Sequence, residues 1–222
     1  VVADDPDGVV DWLLDSVLDS VLGPTLDPGP GSPLGPPRDA TVGRVHVVGH
    51  SYGGATALLL ATRHPERIAS LVLVDPAAIA LSADQPSSDE HIKRFGAVFE
   101  RAGDPTLSNA EFSALFAQAS GVPAPPVPPE VLDALTAHLR ALRPPWTIEV
   151  DPTVPQRIPT RVIVGDSDPM YDEVAAVLAD NGARVERIAG LGHRPHDDPE
   201  VTGLMREHWA EVESASAEPG NP

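Results

Sequence analysis

The sequence predicts an α/β fold, a mainly parallel sheet flanked by helices and carrying a helical insertion. Three observations lead there. Short valine-rich apolar runs alternate with helical patterns between residues 44 and 212, the signature of strand–helix–strand units. Residues 82–155 interrupt that alternation with helical patterns and no strand pattern. The chain is 222 residues long and 41% hydrophobic, enough for one sizeable core with an insertion.

The elements follow in order. In "VVDWLLDSVLDSVLGP", Val10, Leu13, Leu14, Val17, Leu18, Val21 and Leu22 share one face of a helix over 9–23, and Gly23 and Pro24 stop it. The proline- and glycine-rich stretch 24–41 is a loop. "RVHVVG" reads as a buried strand, "GGATALLLATRHP" as a helix ending at His64 and Pro65, and "IASLVLVDPA" as a second buried strand. "SSDEHIKRFGAVFERAG", "SNAEFSALFAQASG" and "PPEVLDALTAHLRALRPPW" are three amphipathic helices. "TRVIVGDSDP" is a third strand, "MYDEVAAVLADNG" a helix with Gly182 just past its end, and "ARVERIAGLGH" a weaker fourth strand. Asp198 caps and Pro199 opens a last helix, with Val201, Leu204, Met205, His208, Trp209 and Val212 on its apolar face. The expected division is a core of residues 1–81 and 156–212, the insertion 82–155 between them, and a disordered tail over 213–222.

Composition narrows the function. The net charge is −18, from 15 basic and 33 acidic side chains, which argues against a nucleic-acid backbone or an anionic membrane surface as partner. There is no cysteine, so disulfides, thiolate metal sites and a cysteine nucleophile are excluded, and a reducing, cytoplasmic location fits. No apolar run approaches the length of a membrane span, and no signal peptide is visible. No spacing of His, Asp and Glu suggests a metal site, and no cofactor is implied. A small-molecule substrate is the expected partner.

The chemistry centres on "VVGHSYGG". Gly49-His50-Ser51-Tyr52-Gly53 matches G-x-S-x-G and lies between an expected strand and an expected helix, the context this motif requires. Small neighbours allow a strained turn that projects the Ser51 hydroxyl clear of the sheet. The N–H of Tyr52 then faces a developing oxyanion, assisted by the helix N-terminus. A serine needs a base to take its proton, so an acid and a histidine should follow at strand ends. Asp166 and Asp168 follow the third strand and His193 the fourth. Asp75, ending the second strand, is a further acid position, read more readily as a turn residue before Pro76. His196 is a rival to His193 without its glycine turn. Phe95, Phe99, Phe112, Phe116 and Trp146 are candidates to line an apolar pocket, with packing of the insertion as their other use, and His50 lies near the elbow.

At "GHSYGG", "LVLVDPA", "GDSDP" and "GLGH…DPE", in that order, the chain resembles the α/β-hydrolase superfamily in its esterase, haloperoxidase-like and epoxide-hydrolase-like branch. The resemblance covers roughly residues 9–23 and 42–212. It implies Ser51 as nucleophile, His193 as general base, Asp168 (by the G-x-x-D pattern) as the acid orienting His193, and a cap formed by 82–155. Serine at position 51 disfavours dehalogenase and epoxide-hydrolase chemistry, which use an aspartate there. One departure stands at the front. Relatives carry a His-Gly turn upstream that supplies a second oxyanion donor, and none precedes Ser51 here. The expectation is a chain lacking three or four N-terminal strands, with an open edge beside "RVHVV" and a donor worth ~3 kcal/mol missing.

Overall fold

The computed structural model describes residues 44–122 and 127–217. Four strands, β1 (Val45–His50), β2 (Ile68–Val74), β3 (Thr160–Val164) and β4 (Arg184–Arg187), form a parallel sheet in the order β1-β2-β3-β4. β1 pairs with β2 from Val45↔Ile68 to His50↔Val74, and β3 with β4 from Arg161↔Arg184 to Val164↔Arg187. Parallel strands need crossovers, and helices supply them: α1 (Tyr52–Arg63) joins β1 to β2 and α5 (Met170–Asp180) joins β3 to β4. The last helix, α6 (Pro199–Ala217), runs past residue 212, where the expected tail begins.

Side-chain alternation explains why β2 and β3 read as continuous apolar runs rather than as alternating ones. Leu71, Leu73, Val162 and Val164 point into the larger core, with Leu58 and Leu60 of α1 and Val174 and Leu178 of α5. Val72, Val74 and Ile163 point the other way, to Val201 and Met205 of α6. Both sheet faces are thereby covered. Arg161 shares the α6 face and is fully buried, a costly place for a charge. Glu207 at 3.0 Å, Glu211 at 3.7 Å and Glu186 at 3.9 Å offset it.

Between β2 and β3 lie the inserted helices α2 (Pro86–Phe99), α3 (Asn109–Ser120) and α4 (Pro129–Ala141). They have a small core of their own, Val98, Leu107 and Phe112. α3 starts at a capping box between Ser108 and Glu111 and ends on Gly121 at φ 68°. The Arg140 guanidinium of α4 donates to the carbonyls of Ala102, Asp104 and Leu107 and so ties α4 to the α2–α3 connection. α2 is anchored on the sheet domain at its N-terminus, where the Glu173 carboxylate of α5 accepts from Ser87 N–H (2.8 Å) and Ser88 N–H (2.7 Å). These are two of the amides a helix start leaves without an intrahelical acceptor.

The helix expected over 9–23, the loop over 24–41 and the open edge beside β1 depend on residues 1–43, outside the described ones. No helix among the described residues is long and apolar enough to cross a membrane.

Candidate active site

Residues just past the carboxyl ends of all four strands converge, where open α/β sheets bind ligands. Ser51 sits between β1 and α1 at φ 54°, ψ −122°. Its N–H donates to Val74 O (2.9 Å), and its carbonyl accepts from Gly54 and Ala77 (both 2.9 Å). These bonds hold a backbone conformation that costs a non-glycine residue about 1–3 kcal/mol. The glycines around it leave room for the corner. A Cβ on Gly49 would lie 2.4 Å from Gly53 O, and one on Gly54 would lie 2.8 Å from Pro76 Cα. Among the described residues only one other non-glycine has a positive φ: Asp75, at 40°, on the turn that ends β2.

The two strained residues meet through His193. His193 Nε2 is 2.9 Å from Ser51 Oγ, and Nδ1 is 3.0 Å from Asp75 Oδ2. An ionised carboxylate only accepts, so Nδ1 carries the hydrogen and Nε2 is left as acceptor for the Ser51 hydroxyl. Asp75 is fully buried, and its other oxygen accepts from Gly165 N–H at 2.8 Å.

Asp168, expected to orient His193, does not do so. Its Oδ2 accepts from His91 Nδ1 (2.9 Å) and from Arg94 (2.6 Å), both on α2, and its Oδ1 from Met170 N–H (3.1 Å). Burial raises the Asp168 pKa, but the His91 and Met170 hydrogen bonds and the charges of His91 and Arg94 outweigh it and hold the group at about 2. The physical reason is competition between two strand ends. The turn at Asp75 delivers a carboxylate beneath His193, while the inserted helix captures Asp168 with a histidine and an arginine one turn apart. Asp166, the other acid weighed after β3, holds the histidine loop instead, accepting from Gly190 N–H and Gly192 N–H (both 2.8 Å). That loop approaches so closely that a Cβ on Gly165 would lie 1.8 Å from Gly192 O.

His50 also serves the loop. Its Nε2–H donates to the His193 carbonyl at 2.7 Å, and its ring lies 4.2 Å from that of His196. Burial lowers the His50 pKa despite the carbonyl acceptor, with the His193 and His196 charges adding to the fall. His196 therefore neighbours the site without replacing His193. Tyr52 opens α1 beside Ser51.

The aromatic candidates divide. Phe95 is buried against His91 (centroids 4.4 Å) and Phe116 (5.2 Å). Phe99 meets Trp146 edge-on at 5.4 Å, and Trp146 packs on the larger core. Phe112 is fully buried in the core of the inserted helices with Arg140 over its ring, so packing is its use. Sequence reasoning missed Tyr171, whose ring lies against His193, and the His91–Arg94 pair. Nothing in their spacing distinguishes them from ordinary helix residues.

Comparison with known proteins shows the family. Over 68 residues the chain is 40% identical to the 2-hydroxy-6-oxononadienedioate/2-hydroxy-6-oxononatrienedioate hydrolase of Burkholderia vietnamiensis, a match spanning 31% of this chain and 23% of that protein. Over 43 residues it is 54% identical to Lipase LipV of Mycobacterium tuberculosis, spanning 19% of this chain and 16% of the lipase. These matches are therefore local, well under two thirds of either relative's length. A thermophilic esterase from Thermogutta terrifontis superposes with a TM-score of 0.52 at 25% identity, covering 77% of this chain and 66% of the esterase. NosK from Streptomyces actuosus superposes with a TM-score of 0.51 at 22% identity, covering 95% and 78%. The model of the alpha/beta hydrolase family matches residues 2–202. Most of the sequence is thus accounted for by one family, and the chain belongs to the alpha/beta hydrolase family.

Proposed function

We propose that this chain is a serine hydrolase that cleaves an ester-like bond of a small, apolar substrate through an acyl-enzyme. The observation that carries the reading is the pair of contacts from His193, 2.9 Å to Ser51 Oγ and 3.0 Å to Asp75 Oδ2. Ser51 Oγ attacks the carbonyl carbon while His193 Nε2 takes its proton. The tetrahedral oxyanion is met by the Tyr52 N–H at the start of α1. His193 then gives the proton to the leaving alcohol, and the Ser51 ester remains. Water, deprotonated by His193, attacks that ester and releases the acid and Ser51. Asp75 fixes the imidazole tautomer and stabilises the imidazolium, the role the family resemblance implied for Asp168. Phe95 of α2, stacked on His91, is the aromatic side chain we assign to the substrate side.

The local similarity to the dienedioate hydrolase favours a second reading, carbon–carbon bond hydrolysis on the same three residues. The two readings separate on substrate, since a vinylogous diketone and a p-nitrophenyl ester test one each. Mixing the chain with p-nitrophenyl butyrate and quenching early should leave a butyryl group on the peptide containing Ser51. Steady turnover of the ester with no acyl adduct at Ser51 under any quench time would remove the covalent mechanism.

A further inference from the structure

Tyr171 lies in the first turn of α5, only 7% exposed, and takes no part in the mechanism above. Its ring is nearly parallel to the His193 imidazole, at 17°, with centroids 5.0 Å apart. Three other groups meet His193: Asp75 from the end of β2, Ser51 from the elbow, and His50 from the end of β1, its ring at 4.6 Å and tilted by 43°. The two hydrogen bonds fix the ring's nitrogens. Neither bond resists rotation of the ring about the line joining its two partners, and the tilted His50 ring offers only a partial wall. A parallel phenol face does resist that rotation. It also presents π-electron density to the ring that becomes cationic during the reaction.

We propose that Tyr171 is a positioning residue for the hydrolysis, its ring holding the plane of the His193 imidazole and stabilising its protonated form. The inference rests on the serine-hydrolase reading for its kinetic consequence but not for its structural one. The phenol itself stays neutral. Burial, with the Asp75 charge adding to it, pushes its pKa well up, against a smaller opposing effect of the neighbouring Ser51 hydroxyl. The hydroxyl keeps its hydrogen and lies against Ser51, so comparing variants with and without the ring separates the ring's part from the hydroxyl's. The Tyr171 backbone is set by the turn that carries Asp168, since Tyr171 N–H donates to Asp168 O at 3.1 Å.

The test compares Tyr171→Phe, which keeps the ring, with Tyr171→Leu, which removes it. Long-range ¹H–¹⁵N spectra of the imidazoles, recorded over a pH titration, give the His193 pKa and tautomer in each folded chain without reference to activity. The expected result is a wild-type His193 titration in Tyr171→Phe and a lower His193 pKa in Tyr171→Leu. With it should come a roughly ten- to hundredfold fall in kcat, little change in KM, and recovery to within about threefold in Tyr171→Phe. A purely structural role would lower Tm in Tyr171→Leu without moving the His193 titration, and that outcome overturns the proposal. So does an equal loss in both variants, which would place the effect on the hydroxyl. If wild type turns over no ester but the His193 titration moves as expected, the hydrolase reading has failed and the positioning role stands.

Discussion

Asp75→Asn should lower kcat by about 10⁴-fold, the scale on which an asparagine in place of the orienting acid enforces the wrong imidazole tautomer. The Asn oxygen can still accept from Gly165 N–H, which Asp75 Oδ1 does at 2.8 Å. Its amide nitrogen then faces His193 Nδ1. A donor there drives the imidazole hydrogen to Nε2, where it blocks uptake of the Ser51 proton. Asp168→Asn should leave kcat within about tenfold of wild type, because its carboxylate bonds α2 rather than His193. Its loss should appear in stability. A carboxyl held at about 2 in the folded chain stabilises it above the ordinary carboxylate range, and the contribution fades as pH falls through that value. The measurement is kcat and Tm for both variants at neutral pH. A large kcat loss in Asp168→Asn beside a benign Asp75→Asn would reverse the assignment.

Ser51→Ala and His193→Ala should each remove most of the catalysis, about 10⁶-fold in kcat where rates can be measured. The double variant should be hardly worse than either alone. In the proposed mechanism nucleophile and base act as one unit, linked at 2.9 Å, so removing one makes the other idle. The free energies are then far from additive. Both side chains are small or partly exposed, and their loss leaves the β2–β3 core untouched, so thermal unfolding should stay cooperative. Multiplying losses in the double variant would mean that Ser51 and His193 work separately.

The Ser51 corner and the His193 turn were legible as candidates because their signals are local. Ser51 lies in a glycine-fenced strand-to-helix corner, at φ 54°. His193 follows Gly192, itself at φ 54°, on the turn after β4. The alternation of β2 and β3 with helices was legible because both sheet faces are buried. The carboxylate that meets His193 was not, because Asp75, Asp166 and Asp168 all follow strand ends and the G-x-x-D resemblance favoured Asp168, whereas Asp75 makes the contact. The choice depends on the turn at Asp75 and on His91 and Arg94, which lie 77 and 74 residues before Asp168 in the chain. Phe112 carried two readings, pocket lining and packing of the insertion, because whether an aromatic on an inserted helix faces the site or its own small core is a matter of helix–helix packing, which periodicity leaves open; it lies in that small core.

The most direct test of the proposed roles of Ser51, His193 and Asp75 is covalent. A fluorophosphonate reacts only with an activated serine, so wild type should gain a single phosphonyl group, mapped by peptide mass to Ser51. Ser51→Ala should gain none, and Asp75→Asn should react far more slowly than Asp168→Asn. Labelling that persists in Ser51→Ala, or a folded wild-type chain that takes up no label, would contradict the assignment of Ser51 as the nucleophile.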